Sequence, residues 1–281
     1  MIKKVIPVMD TVFALDGGAM FGVVPKTLWN KTNPADDKNR IDLAMRTIYI
    51  ETENRKILID TGIGHKSNEK FDNIFKVSRN QNLSLNLKRI SVKFDEITDI
   101  IITHLHFDHA GGNTLLNEDG KLIPAFKNAT YHIQKDNFNH AINPPARERA
   151  SYLKENFIPI QEANQLNLID GNHTLFNEIE LIPQYGHTIG QQLVKFNYNN
   201  TTYLYTADTI PTSSHISIPF VMGYDIQPLI TMEEKEFLLK QAVENNWTLL
   251  YEHDPKITGS KVVFNGRKYK KGEIFNNSNS L

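Results

Sequence analysis

The chain has 281 residues, 40% of them apolar and 22% charged, with a formal net charge of −1. That balance describes a globular protein long enough to bury a substantial core, and it lacks the basic excess of a nucleic-acid binder. There is no cysteine, which excludes disulfides and thiolate metal ligands and leaves His, Asp and Glu as donors.

Residues 1–10 carry two lysines with no long apolar core after them, and no run approaches the length of a membrane span. The expectation is a cytoplasmic protein without a signal peptide, a membrane segment or a nucleic-acid partner. Two short apolar runs, 5–9 and 11–15, predict edge-type strands. The next ten residues, Asp16-Gly17-Gly18-Ala19-Met20-Phe21-Gly22-Val23-Val24-Pro25, hold three glycines and a proline and read as a loop. Met20, Phe21 and the following Trp29 load that loop with apolar side chains. This suits a loop folded onto the core and the wall of a substrate pocket equally well.

Residues 30–40 are polar surface loop. Residues 45–52 alternate with period two, 53–55 turn, and 56–60 return, which predicts a hairpin ending at Asp60-Thr61-Gly62. Asp60 is read either as a turn residue or as an acceptor behind a metal-bound histidine. Phe71, Ile74, Phe75 and Val77 fall at helical spacing, so 66–80 is expected to be a surface helix. A second short helix or turn is expected over 83–90.

Residues 97–102 form a short β-branched run bounded by polar residues, which predicts a buried strand. It leads into Thr103-His104-Leu105-His106-Phe107-Asp108-His109-Ala110-Gly111-Gly112. Two residues apart on an extended segment, His104 and His106 point the same way. Asp108 and His109 follow at once. Imidazole and carboxylate at this density, just past a strand, point to a divalent metal such as zinc.

Further on, 128–133 predicts a strand, and 135–142 and 145–156 predict helices. His132 and His140 have no ligand-like company and read as structural or surface residues; His65 and His173 read as surface. A strand over 179–185 delivers His187 between glycines. Residues 191–198 and 201–206 predict a hairpin turning at Asn199-Asn200 and ending at Asp208. The strongest helical pattern spans 231–245, with Thr231 as its cap and Glu234 completing a capping box. A strand over 247–252 ends at His253-Asp254-Pro255. A short hairpin follows around Asn265-Gly266, and 276–281 is expected to fray. No linker or repeat divides residues 1–281, so a single domain is expected.

Asp60, the His104–His109 loop, His187, Asp208 and His253 thus stand at five strand ends, where open sheets place their sites. Their order, His-x-His-x-Asp-His, then a glycine-flanked histidine, an aspartate after a strand and a late histidine, resembles the metallo-β-lactamase superfamily. The resemblance implies an α/β fold, an αββα sandwich of two mixed sheets flanked by helices, holding two divalent metal ions. It implies that His104, His106 and His187 bind one ion, that Asp108, His109 and His253 bind the other, and that Asp208 bridges both. Zinc is the expected metal, and cobalt, manganese and iron also suit this donor set.

The lack of a cysteine ligand and the bridging-type Asp208 point toward lactonases, glyoxalase II-type thioesterases and phosphotriesterases. Gly17 to Lys26 with Trp29, together with Ala207-Asp208-Thr209-Ile210-Pro211-Thr212, resembles the YtnP-like branch. That branch is described as quorum-quenching N-acyl homoserine lactonases, with methyl-parathion hydrolases as relatives. The resemblance therefore implies a small-molecule acyl lactone or ester as substrate. A metal-bridging hydroxide would attack its carbonyl, and Asp108 would both ligate and carry the proton to the leaving alkoxide.

The remaining readings stay open. Tyr224 either donates a hydrogen bond to the substrate carbonyl or packs in the core or an interface. His215 either lines the pocket or decorates a loop. Met20, Phe21, Trp29, Phe107, Phe220 and Met222 read equally as acyl-chain pocket, as core and as homodimer contact. The competing functions are a phosphotriesterase or broad esterase on the same site, and a non-catalytic metal-binding scaffold. Scaffolds of that kind usually lose ligands, and this sequence keeps all seven. A di-iron oxidoreductase would replace the second histidine with glutamate and add a flavin domain. A nuclease would want a basic surface.

Overall fold

The computed structural model describes residues 1–276, so the tail expected to fray lies, beyond its first residue, outside the described residues. Strands β1 (Lys4–Asp16), β2 (Arg40–Glu51), β3 (Lys56–Ile59) and β4 (Asp99–Ile101) begin a first sheet. A separate small hairpin, β5 (Thr114–Leu116) with β6 (Leu122–Pro124), interrupts it. β7 (Thr130–Gln134) and β8 (Leu166–Ile169) complete it in the order β1-β2-β3-β4-β7-β8. The second sheet holds β9 (His173–Leu175), β10 (Ile179–Gln184), β11 (Gln191–Tyr198), β12 (Thr201–Tyr205), β13 (Thr248–Leu250), β14 (Gly259–Phe264) and β15 (Tyr269–Phe275), in strictly reversed order. Both sheets are mixed. β3, β4, β7 and β8 run parallel, as do β12 and β13, and the other pairings are antiparallel.

Strand periodicity explains why the first sheet is apolar on consecutive residues. Ile48, Ile50, Ile57, Ile59 and Ile101 face the second sheet and share a cluster with Leu193, Leu204 and Leu249. The residues between them, Tyr49, Leu58, Ile100 and Ile102, face the other way and pack on a helical layer. That layer comprises α4 (Leu83–Arg89), α6 (Lys135–Ile142) and α7 (Ile158–Glu162), while α8 (Pro228–Glu244) adds Leu238, Leu239 and Ala242 to the inter-sheet cluster. Among the described residues no helix is long and apolar enough to cross a membrane.

A third cluster forms around Phe13, Met20, Phe21, Trp29, Leu43 and Met222, beside the site. It contains α1 (Gly17–Phe21), where a loop was expected over 16–25, and α2 (Lys26–Trp29) just after it. The cap is local: the Asp16 carboxylate accepts from Ala19 N at 2.8 Å.

Other expectations shift for equally local reasons. The two strands expected over 5–15 are one, with a register break between Met9 and Val12. The break turns the Asp10 carboxylate inward, where it accepts from Ile63 N at 3.0 Å and Leu83 N at 2.9 Å. α3 (Glu69–Phe75) is shorter than 66–80, because Lys76 adopts a left-handed φ of 49° and ends it. The helix expected over 145–156 is absent. Glu148 N and Ser151 N make turn bonds to Pro145 O and Glu148 O, and the segment closes with a 3-10 turn, Lys154–Asn156. Pro145 would suit a first helical position, so the prolines at its head are not the cause; Glu148 is drawn inward, with its carboxylate on His140 Nε2 at 2.6 Å, and the segment turns around it. The long helix starts at Pro228 and not at Thr231. Glu234 makes no capping box; it accepts from Tyr185 N at 2.6 Å and Gly186 N at 3.1 Å, pinning the turn before His187.

The expected hairpin turn at Asn199-Asn200 carries left-handed φ values of 48° and 59°, the mirror-type turn that suits sheet twist. Gly62, at the exit of β3, has φ +70°, and a Cβ there would lie 2.3 Å from Asp10 Oδ2. Gly120 has φ +73° with nothing within 4 Å. Gly120→Ala is therefore expected to cost only the left-handed penalty of about 1–2 kcal/mol. Gly62→Ala should cost about 1–3 kcal/mol more because it also displaces a buried carboxylate. Urea denaturation of both variants measures the difference.

Candidate metal centre

The connectivity brings five strand exits to one place. Asp60 follows β3 and the histidine loop follows β4. His187, Asp208 and His253 follow β10, β12 and β13. Part of the loop forms a helical turn, α5 (Phe107–Ala110), which lets Asp108 and His109 turn inward beside His104 and His106. Gly112 N donates to Gly62 O at 3.1 Å and Thr61 N to His109 O at 2.9 Å, so the Asp60-Thr61-Gly62 turn braces the loop. Asp60, held in a left-handed φ of 57°, accepts from Thr103 N and Thr103 Oγ1, both at 2.7 Å.

Three groups of donors result: Asp60 and Glu252 meet His109 on its outer Nδ1 side, and the other two groups, His104, His106, His187 and Asp208, and beside them Asp108, His109 and His253, hold seven residues. All seven are buried. His106 Nδ1 lies 3.0 Å from His104 Nε2 and 3.2 Å from His187 Nε2. His109 Nε2 lies 3.2 Å from His253 Nε2. Asp208 stands between the groups, with Oδ2 3.2 Å from His187 Nε2 and Oδ1 3.1 Å from His253 Nε2. Asp108 Oδ2 is 3.7 Å from His253 Nε2 and 3.9 Å from His109 Nε2.

The outer nitrogens settle what the inner ones can be. His187 Nδ1 faces Asp225 Oδ1 at 2.9 Å, and His253 Nδ1 faces the Ala44 carbonyl at 2.8 Å. His109 Nδ1 hydrogen-bonds Asp60 Oδ2 at 3.2 Å, with Glu252 Oε2 2.8 Å away. His106 Nε2 faces Glu148 Oε1 at 3.4 Å. His104 Nδ1 meets Thr103 Oγ1 at 3.1 Å, and that hydroxyl already gives its proton to Asp60. Every outer partner accepts, so every outer nitrogen holds the N–H. The five inner nitrogens then face one another as lone pairs. Asp208 Oδ1 is buried among them without a hydrogen-bond donor.

Lone pairs do not hydrogen-bond one another, so these contacts need a cation between them. Donors on a tetrahedral zinc at 2.0–2.1 Å would sit about 3.3 Å apart, which the observed spacings match. Charge leads to the same conclusion. The carboxylates of Asp60, Asp108, Asp208, Asp225, Glu148 and Glu252 are all buried around the imidazoles, and such an excess needs neutralising. Without a metal, protons must serve. Burial pulls His253 down, but Asp208 and Glu252 outweigh it and hold the ring up at about 9. Burial pushes Glu252 up to about 7, with Asp60 repelling its charge and His109 only partly compensating. The residues fit divalent metal ions.

Above the donors lies a cavity of about 260 Å³. Of the residues expected at a pocket, Met20, Phe107, Met222 and Tyr224 line it. Phe21, Trp29, Phe220 and His215 do not. Phe21 is buried with its ring stacked on Trp29 at 5.4 Å and on His215 at 4.5 Å, and Phe220 meets it edge-on at 6.1 Å. Phe21, Trp29 and His215 are core rather than pocket wall, and the partly buried Phe220 packs against them. His215 neither lines the cavity nor decorates a loop. It is buried, bonded to Thr212 Oγ1 and Met20 O at 2.8 Å each, and burial pulls it down to about 3. His132 is structural as expected, held by Asp99 at 2.9 Å.

The sequence reading missed Asp225, Glu252 and Glu148. Asp225 and Glu252 stand next to quoted residues, Tyr224 and His253, yet they carry no spacing signal of their own. Glu148 also binds His140 Nε2 at 2.6 Å, which brings that histidine into the surroundings of the centre. Arg147, Leu15 and Phe75 line the cavity without any sequence signal.

A layered α/β fold with a buried His/Asp centre at its strand ends defines a metal-dependent hydrolase. The chain belongs to the Metallo-beta-lactamase superfamily, whose family model matches residues 46–253. It is 29% identical over 220 residues to an N-acyl homoserine lactonase of Bacillus cereus, covering 72% of this chain and 80% of the relative. It superposes on a probable metal-dependent hydrolase from Staphylococcus aureus with a TM-score of 0.87 and 27% identity, covering 99% of this chain and 98% of the other. A dizinc quorum-quenching lactonase shares the fold with a TM-score of 0.77 at 20% identity, covering 99% and 97% of the two chains.

The outer partners yield a direct test. Asp225→Ala frees the His187 ring, and metal affinity measured against a competing chelator is expected to fall about 10–100-fold. Stripping the wild-type protein with chelator should lower Tm, and added zinc should restore it.

Proposed function

We propose that this chain is a dinuclear metal-dependent lactonase that opens the ring of N-acyl homoserine lactones. The observation carrying this reading is the convergence of five imidazole lone pairs and two aspartates, shared through Asp208, on the floor of a small cavity with apolar walls. The names of the curated relatives support the substrate class. In this reading His104, His106 and His187 hold one ion, Asp108, His109 and His253 hold the other, and Asp208 holds both. When bound, the ions, zinc being the expected metal, supply Lewis acidity toward a carbonyl and ionise water at neutral pH.

The protein's own groups do the rest. Met20, Phe107 and Met222 shelter the acyl part and exclude water. The Tyr224 hydroxyl, pushed up to about 12 by burial and then by Asp16 and Asp108, stays protonated and donates to the substrate carbonyl. The Asp108 carboxylate takes up the proton released as water adds, and returns it to the alkoxide oxygen as the ring C–O bond breaks.

The test is hydrolysis of short- and long-chain acyl homoserine lactones, a phosphotriester, a thioester and a β-lactam by metal-loaded and chelator-stripped protein. Metal-dependent lactone opening with the highest kcat/KM of the panel is expected. Preference for the phosphotriester or thioester would keep the centre and replace the substrate. Asp108→Asn and His253→Ala should each lower kcat/KM by about 10²-fold or more, or lose metal. Full activity in either variant at unchanged metal loading overturns the ligand assignment.

A further inference from the structure

One charged group at the cavity has no counter-ion. Arg147 lines it, is exposed, and among the described residues forms no ion pair. Its Nη2 donates to Gly223 O and, at 3.2 Å, to Asp225 O, both on the facing wall. Among the described residues its Nε and Nη1 have no partner. The guanidinium is thus held on one side by two carbonyls, with donors left over. A planar, pre-oriented fork of donors loses little entropy when it binds an acceptor.

Its location follows from its neighbours. Glu148, the next residue, faces His106 at 3.4 Å. Asp225, whose carbonyl holds Arg147, supports His187 at 2.9 Å. Arg147 is therefore tied to the two segments that support His106 and His187. The other cavity groups outside the centre are mostly apolar, among them Leu15, Met20, Phe75 and Met222. A ligand with its scissile carbonyl at Asp208 and a second acceptor toward these segments would find the free donors of Arg147 there.

We propose that Arg147 is a specificity-determining residue that receives a second hydrogen-bond acceptor of the substrate, the amide oxygen of an acylamino lactone. This rests on the lactonase reading and narrows it. The enzyme then selects lactones bearing an amide over plain alkyl lactones of similar size. A hydrogen bond to a charged donor supports a selectivity of about tenfold or more.

The experiment compares N-butanoyl homoserine lactone with an amide-free alkyl γ-butyrolactone of matched length, using zinc-loaded wild type, Arg147→Met and Arg147→Lys. Zinc content and Tm are measured on each. Wild type should favour the amide-bearing lactone about tenfold or more in kcat/KM. Arg147→Met should lower that substrate about tenfold more than the amide-free one, mainly through KM, and Arg147→Lys should retain part of the preference. Equal losses on both lactones, or a drop in zinc content that accounts for the loss, would make Arg147 a mere strap between the walls and overturn the proposal. So would a wild type with no preference. If wild type opens neither lactone, the lactonase reading falls and this inference falls with it.

Discussion

Five imidazoles can turn bare lone pairs toward one small volume only if each is made to keep its proton on the far side. Here Asp225, the Ala44 carbonyl, Asp60 with Glu252, Glu148 and Thr103 do so, one set for each ring. The acceptors come from distant parts of the chain, so the centre exists only when both sheets and their connecting loops are in place. In return, a cluster of buried carboxylates and unprotonated imidazoles is tolerable only with cations in it. Folding and metal binding are therefore linked through the same atoms.

The first sheet provides the rigid half. β3 and β4 run parallel side by side, and their exits carry Asp60 and the histidine loop. The Asp60 turn holds that loop by two backbone bonds and by both Thr103 donors. The second sheet provides His187, Asp208 and His253 from strands that run in the same direction, since β10 and β12 both lie antiparallel to β11 and β13 lies parallel to β12. Glu234, on the long helix, fixes the turn before His187, which ties that helix to the centre as well.

The cavity walls and the supports of the centre are the same segments. Residues 143–153 carry Glu148 behind His106 and present Arg147 to the cavity. Residues 222–225 carry Asp225 behind His187 and present Met222 and Tyr224. Arg147 links the two walls through the Gly223 and Asp225 carbonyls. A substitution in either wall can thus reach an imidazole two bonds of contact away, which is why metal content must be measured alongside turnover in any wall variant.

By itself the sequence determined what depends on neighbouring residues. Alternation and turn chemistry placed the hairpins at residues 53–55, Asn199-Asn200 and Asn265-Gly266. The spacing of His104, His106, Asp108 and His109, with His187, Asp208 and His253 each just past a strand, marked the donors that the structure brings together. Where a local signal had two outcomes, tertiary contacts decided. Glu234 had the spacing of a capping residue, but its carboxylate serves a turn from another strand. Residues 145–156 read as a helix, but the segment turns around the inward Glu148. Phe21, Trp29 and His215 read as pocket candidates and became core, with Phe220 packed against them, while Met20 and Met222 reached the cavity. Asp225, Glu252, Glu148 and Arg147 act across separations of tens of residues, and a pairing made through space leaves no periodicity along the chain for the sequence to display.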